Sequence, residues 1–335
     1  MPNKLITLAS HSSLQIVHGA KMEGLSTSLV VERRRLNFYK RYSNLVDEFY
    51  IVNEFKEGSK LLNSLGDEYI LIPHGSLIEY LGVGEVMNLR IKIFGNRKLI
   101  EIESNQYDKM NFLKNAGIMI PQIFNNYTKI DKTVIVKLSG AKGGKGYFIA
   151  KNEEEVRKGL KKAIDLGLIK NTKEAIVQEY VFGVPMYFHY FYSPYYDRVE
   201  LTGIDIRYET NVDGLKRIPD ALDKPLPSFV VVGNIPVIAR ESLLPKIIEM
   251  GESLNKEAIR RTGKPITGPY CIETIIKDDG QIVAFEFSGR IVAGTNLYIN
   301  GSPYTWLEWG EQMSVGRRIA KEIKLLGNDL VHYLD

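Results

Sequence analysis

Two glutamates thirteen residues apart, Glu273 and Glu286, flank the run Ile275-Ile276-Lys277-Asp278-Asp279-Gly280-Gln281-Ile282-Val283-Ala284. Apolar residues on both sides of Asp279-Gly280 predict a β-hairpin, with that dipeptide as a two-residue turn of positive φ. Such a turn sets Lys277 against Ile282, Ile275 against Ala284 and Glu273 against Glu286. The two carboxylates then share a sheet face, with Cβ atoms roughly 4.5–5.5 Å apart. Two anions so placed repel, and a bound divalent cation would offset the repulsion. The same residues also describe a solvated pair on an outer face, or a register one step off that separates them.

Three further constellations could carry chemistry. Lys137 ends an apolar strand and runs into a loop with Gly140, Lys142, Gly143, Gly144, Lys145 and Gly146. Glycines let a backbone approach a polyanion closely. No Ser or Thr follows the lysine and the next element is a strand, so this is not the strand–loop–helix phosphate motif. It reads as a hairpin flap over phosphates, or as a surface hairpin with solubilising lysines. The strand end Gln178-Glu179-Tyr180-Val181 can offer backbone groups to an adenine edge, or simply link two strands with a turn at Gly183. Arg290, four residues past Glu286, can clamp phosphoryl oxygens bidentately or form a surface salt bridge.

The elements that must position these residues fall into two styles. The first ~100 residues alternate short apolar runs with helical stretches, the pattern of βαβ units around a parallel sheet. Strands are expected at 5–9, 28–31, 48–52 and 69–72, with helices at 12–23 and from 76 through 80. Ligands of open α/β sheets sit beyond the carboxyl ends of the strands. Ser10-His11-Ser12 and Pro73-His74-Gly75-Ser76 occupy such ends. Their hydroxyls, imidazoles and amides suit an anion such as phosphate; simple helix capping is the alternative role for His11 and Ser76. Farther on, helices are expected at 106–115, from Asn152 with Glu155 as a capping box to about 166, at 242–261 and at 305–325. Strands are expected at 133–138, ending near 150, and at 175–180, 187–192 and 199–208.

Composition narrows the classes. The 335 residues hold 44 Lys and Arg against 40 Asp and Glu, a net +4 that gives no argument for nucleic acid. Cys271 is the single cysteine, so no intrachain disulfide can form, which fits a reducing cytoplasm. No apolar run reaches the ~20 residues of a membrane span. The apolar part of the first residues is too short for a secretory signal.

Order is more telling than any one motif: an anion-binding unit, a strand lysine with a glycine flap, a strand-end connector, then two carboxylates and an arginine. That order resembles the ATP-grasp superfamily. Closer still, Ser10-His11-Ser12, Pro73-His74-Gly75-Ser76, Phe94-Gly95-Asn96-Arg97, Gly143-Gly144-Lys145-Gly146-Tyr147-Phe148, Gln178-Glu179-Tyr180-Val181-Phe182-Gly183, Asp205-Ile206-Arg207-Tyr208-Glu209, Val232-Gly233-Asn234 and Ile291-Val292-Ala293-Gly294-Thr295-Asn296 resemble one family. It is the archaeal formate-dependent 5-formaminoimidazole-4-carboxamide ribonucleotide synthetases of purine biosynthesis.

The resemblance spans essentially the whole chain. It implies an α/β and α+β protein: a Rossmann-like pre-ATP-grasp unit over 1–103, then a two-subdomain ATP-grasp fold over 104–184 and 185–335. By the same resemblance Glu273 and Glu286 hold Mg2+ or Mn2+. Lys137, Gly143, Gly144 and Lys145 hold ATP phosphates. Gln178, Glu179, Tyr180, Val181 and Glu209 belong to the nucleotide site. His11, Ser76 and Asn234 contact 5-aminoimidazole-4-carboxamide ribonucleotide (AICAR). Arg290 and Lys137 are the catalytic candidates, formate is the second substrate, and a homo-oligomer is expected.

Two features depart from the pattern. Ser288 stands where the superfamily usually has Asn, and Lys142 and Lys145 stand where the family often has Arg. Another ATP-grasp carboxylate–amine ligase and a catalytically silent nucleotide-binding paralogue are the rival readings.

Overall fold

A computed structural model describes residues 4–138, 146–215 and 229–335. The amino-terminal sheet is parallel, in the order β3-β2-β1-β4-β5: β1 (Lys4–Leu8), β2 (Ser26–Glu32), β3 (Glu48–Val52), β4 (Tyr69–Leu71) and β5 (Lys92–Ile93). Ile6, Leu8, Val30, Leu71 and Ile93 are fully buried in its core. Burial on both faces explains why the central strands β1 and β4 read as apolar runs, while the edge strand β3 is partly exposed. α1 (Ser13–Met22) follows β1, and α2 (Gln106–Asn115) leads out of this unit; Asn105 caps α2 by accepting from the Tyr107 and Asp108 amides.

A small antiparallel sheet follows, ordered β7-β6-β8: β6 (Val134–Leu138), β7 (Tyr147–Ala150) and β8 (Ala175–Glu179). α3 (Glu153–Asp165) covers it with Val156 and Leu160, and Asn152 accepts from the Glu155 amide as its cap. The remaining sheet is antiparallel, β11-β10-β9-β12-β13: β9 (Val184–Ser193), β10 (Arg198–Glu209), β11 (Val231–Pro236), β12 (Gly268–Ile276) and β13 (Ile282–Ser288). α4 (Leu244–Thr262) packs Ile247, Met250 and Leu254 into its core.

The expected closing helix at 305–325 is in fact two helices. Pro303–Trp309 ends at Gly310, whose φ of 62° is left-handed, and α5 (Val315–Leu326) restarts on a Ser314 cap. A glycine just past one helix and a serine just before the next are the usual stop and start signals. Among the described residues no helix is long and apolar enough to cross a membrane.

The break lets α5 lie against α1 at the far end of the chain. The crossing is so close that a Cβ on Gly19 would sit 2.0 Å from the Arg317 nitrogen, and one on Gly316 2.1 Å from the Gln15 oxygen. Buried Gln15 stitches the contact, accepting from the Gly316 amide at 3.1 Å and donating to Thr295 at 3.0 Å and Asn296 at 2.9 Å. Gly316→Val must push these backbones apart. It is expected to lower stability by about 3 kcal/mol or more, read as a drop in the thermal midpoint. A midpoint unchanged from the parent would contradict this packing.

Candidate active site

Glu273 and Glu286 are direct cross-strand partners on β12 and β13. The route to that pairing differs from the expected one. The turn is not a two-residue loop: the Lys277 amide donates to the Gln281 carbonyl at 2.9 Å, and the Gly280 amide to the Lys277 carbonyl at 3.0 Å. Gly280 alone takes a positive φ, 81°, which marks a three-residue loop with glycine in the left-handed position. Ile276 therefore faces Ile282 and Thr274 faces Ala284, one step from the expected Lys277–Ile282 and Ile275–Ala284 pairs. A bulge then leaves Phe285 without a partner on β12 and returns Glu273 to Glu286. The bulged Phe285 carbonyl accepts from Lys137 Nζ at 3.2 Å, so the same irregularity anchors the strand lysine.

Two cations that the sequence reading left without a role hold the carboxylates. Lys109 Nζ lies 2.5 Å from Glu286 Oε1, and its side chain is only 4% exposed. Arg207 of β10 is hydrogen-bonded to Glu273 and stacks 4.3 Å from the Tyr187 ring centroid. Burial raises the Glu286 carboxyl, but Lys109 and Lys137 outweigh it and hold the group well below the usual range. Burial pushes Glu273 up, with Arg207 opposing and Glu286 adding to the rise. Burial also lowers Lys137, against the pull of Glu286. The repulsion inferred from the hairpin is thus offset by protein cations.

Glu273, Glu286, Lys137 and Arg207 wall a cavity of ≈ 410 Å³ between the two antiparallel sheets, with Lys109 behind that wall. Lys137, Gln178, Glu179, Tyr180, Val181, Glu209, Glu273 and Glu286 all line it. Among the described residues, buried Gln178 has neither amide atom hydrogen-bonded. A buried amide without partners suits a ligand edge that supplies both a donor and an acceptor. Glu179 turns its carboxylate to the Gln122 amide and Lys132. Gly140, Lys142, Gly143, Gly144 and Lys145 lie outside the described residues.

The second cluster sits at the carboxyl ends of β1 and β4. Neither Ser12 nor Ser76 caps its helix. Ser12 Oγ is 2.8 Å from His11 Nδ1, and Ser76 Oγ is 2.9 Å from Ser10 Oγ. His74 is buried, donates from Nε2 to the Leu8 carbonyl at 2.8 Å and accepts the Ser76 amide on Nδ1 at 3.2 Å. A Cβ on Gly75 would stand 2.9 Å from His11 Nε2 and 3.2 Å from the Arg290 guanidinium, so glycine is what lets these groups close on one another. Arg290 stands outside the walls of the cavity and is ion-paired with Glu103.

Asn234, on β11, joins from the other side. Its Nδ2 donates to Asp205 at 2.6 Å, and His189 Nε2 meets the other Asp205 oxygen at 2.6 Å. A carboxylate can only accept, so Asp205 fixes the Asn234 amide with its carbonyl oxygen turned away. The loop that begins at Ala293 links the clusters: Gly294 packs on Asp205 and His189, and Asn296 donates to the His11 carbonyl.

Comparison with known proteins places the chain. A family model described as "Protein of unknown function (DUF1246)" matches residues 5–124, and "Domain of unknown function (DUF1297)" matches 155–329. The chain is 55% identical over 324 residues to a 5-formaminoimidazole-4-carboxamide-1-(beta)-D-ribofuranosyl 5'-monophosphate synthetase of Sulfolobus acidocaldarius, covering 97% of this chain and 96% of that one. It belongs to that synthetase family. A synthetase of Ignicoccus hospitalis is 52% identical, over 95% of this chain and 91% of its own. The IMP biosynthesis protein PurP from Thermococcus kodakaraensis superposes with a TM-score of 0.79 at 32% identity, covering 98% and 99% of the two chains. An ADP complex of N5-carboxyaminoimidazole ribonucleotide synthetase, 14% identical, superposes with a TM-score of 0.67 over 96% of this chain and 76% of that one, a likeness of fold alone. The fold is ATP-grasp.

Within this member of the family, burial draws His11 down to about 3, helped by His74 and Arg290. Burial draws His74 from 6.5 to about 4, with the Leu8 carbonyl opposing and Arg290 adding to the fall. Between those two values the unfolded chain binds the proton that folded His74 refuses. Stability from this group is therefore complete above pH 6.5 and is lost as pH falls through about 4. The loss expected for His74 is about 3 kcal/mol, seen as a falling denaturant midpoint from pH 7 to 4. His74→Gln should flatten that slope, and an unchanged slope would contradict the assignment.

Proposed function

We propose that the chain is an ATP-dependent ligase that formylates AICAR with formate, giving 5-formaminoimidazole-4-carboxamide ribonucleotide, ADP and phosphate. The observation that carries this reading is the register-opposed Glu273/Glu286 pair in the ≈ 410 Å³ cavity. ATP fits the cavity, with adenine at the Gln178–Val181 strand end, where the Gln178 amide lacks protein partners. Glu273 and Glu286 would hold Mg2+ or Mn2+: magnesium is commonly held by one or two carboxylates plus substrate phosphates, so a larger protein cage is not needed. Bound there, the ion supplies neutralisation of phosphate charge.

The chain's own residues then do the rest. Lys137, on the cavity wall, stabilises the charge that moves to the leaving ADP, while Lys109, buried behind Glu286, holds that carboxylate in place. A formate oxygen attacks the γ-phosphorus, the bond to the ADP oxygen breaks, and formyl phosphate forms. The 5-amino nitrogen of AICAR attacks the formyl carbon, the carbon–phosphate oxygen bond breaks, and the amine proton is lost. His11, neutral at pH 7, and the outward Asn234 carbonyl offer acceptors to that amine. Arg290, beside Gly75 and His11, would act at the ribonucleotide side of the site.

No observation favours a silent paralogue, since both carboxylates and both buried lysines are in place. Self-association and a cytoplasmic location belong to the same proposal. Product analysis tests it. The formylated ribonucleotide and ADP should appear only when Mg·ATP, formate and AICAR are all present. ADP released without the formyl product would overturn the choice of substrates.

A further inference from the structure

The ribonucleotide in this reading carries a phosphate monoester, and the residues discussed so far leave its charge unanswered. His74 is held neutral by burial, and His11, its ring beside His74 and Arg290, is likewise kept from taking up a proton. Arg290 is neutralised by Glu103. A different cation reaches the same loops. Arg33, Arg34 and Arg35 follow the carboxyl end of β2, beside the ends of β1 and β4 that carry Ser10 and Ser76. A continuous row of polar groups joins them. Ser76 Oγ lies 2.9 Å from Ser10 Oγ, Ser10 Oγ lies 3.2 Å from the Tyr80 hydroxyl, and Arg35 Nη1 donates to that hydroxyl at 3.3 Å.

Arg35 is held in place rather than waving in solvent. Its guanidinium lies 5.6 Å from the Phe55 ring centroid and 5.8 Å from that of Tyr80, and those two rings stack at 4.3 Å. Its Nε meets the buried Glu32 carboxylate at 3.2 Å, which Arg34 also contacts at 2.9 Å. Glu32 fixes the fork but cannot cancel it: three arginines less one glutamate leave +2 on this segment. Nη2 of Arg35 has no hydrogen bond to any described residue.

We propose that Arg35, with the Tyr80 and Ser10 hydroxyls, binds the 5′-phosphate of the ribonucleotide. A guanidinium fork with adjacent hydroxyls is the chemistry that recognises a phosphate dianion. The sugar and base then extend past Ser76 toward His11 and Asn234. The proposal rests on the AICAR reading and adds where its phosphate goes.

Calorimetric titration of AICAR and of its riboside, which lacks the phosphate, tests it on the parent protein, Arg35→Gln and Arg35→Lys. Arg35→Gln is expected to weaken ribonucleotide binding about ten- to hundredfold. Riboside binding should stay within about twofold, and Arg35→Lys should recover part of the loss. An equal loss for both ligands, or no loss for the ribonucleotide, would overturn the assignment. If the parent protein formylates AICAR while the ratio stays unchanged in Arg35→Gln, the phosphate subsite alone is wrong. A parent protein that binds neither ligand would overturn the substrate reading and the subsite with it.

Discussion

Glu286→Gln should leave a folded protein whose formylation rate falls about 10³-fold. The amide keeps the shape of the side chain but removes the charge that faces Glu273 across the hairpin. It also leaves Lys109, 4% exposed, without its carboxylate. That costs stability, so the thermal midpoint should drop, yet the hairpin pairing and the Phe285 bulge do not depend on the charge. The measurements are steady-state turnover at saturating substrates and a circular-dichroism melt. Turnover near that of the parent would remove Glu286 from the metal and phosphate site.

Lys109→Met is expected to be almost as damaging, with turnover down about 10²- to 10³-fold. Lys109 faces Glu286 from α2, which belongs to neither strand of the hairpin, and so ties that helix to the carboxylate pair. Its loss removes the buried cation that holds Glu286 and frees that carboxylate to move. Because both residues serve one arrangement, Lys109→Met in the Glu286→Gln background should add little. Fully additive losses would show that the two act separately. Nucleotide affinity, measured beside turnover, distinguishes a phosphate contact from a packing defect: the first weakens ATP, the second lowers the melt alone.

Four strands of the parallel sheet were legible from their short apolar runs, most clearly the buried β1 and β4, whereas the two-residue β5 was too short to read. Its carboxyl-end loops were legible from their hydroxyls and imidazoles. The Glu273–Glu286 pairing was read correctly through two compensating differences, since a loop one residue longer and a bulge at Phe285 cancel. Periodicity carries no record of a bulge, which is why the intermediate pairs were misplaced.

Lys109 left a signal that the reading did not use. It lies on the buried stripe of α2 with Phe112 and Leu113, at helical spacing, and a lysine there needs a buried anion. The partners Arg207, Asp205 and His189 lie on neighbouring strands whose register only the folded sheet fixes. The break at Gly310 was readable from Gly310 and Ser314, but the apolar spacing on either side masked it. The reciprocal glycines Gly19 and Gly316 are nearly three hundred residues apart, and no local pattern joins them.

Transfer of label from formate to phosphate tests the central claim most directly. The protein would be given Mg·ATP, AICAR and formate carrying 18O in both oxygens, and the released phosphate read by 31P NMR. Attack of formate on the γ-phosphorus predicts one 18O in each phosphate formed with the formylated product. Unlabelled phosphate would contradict the account, because the phosphoryl group would then have gone to water and not to formate.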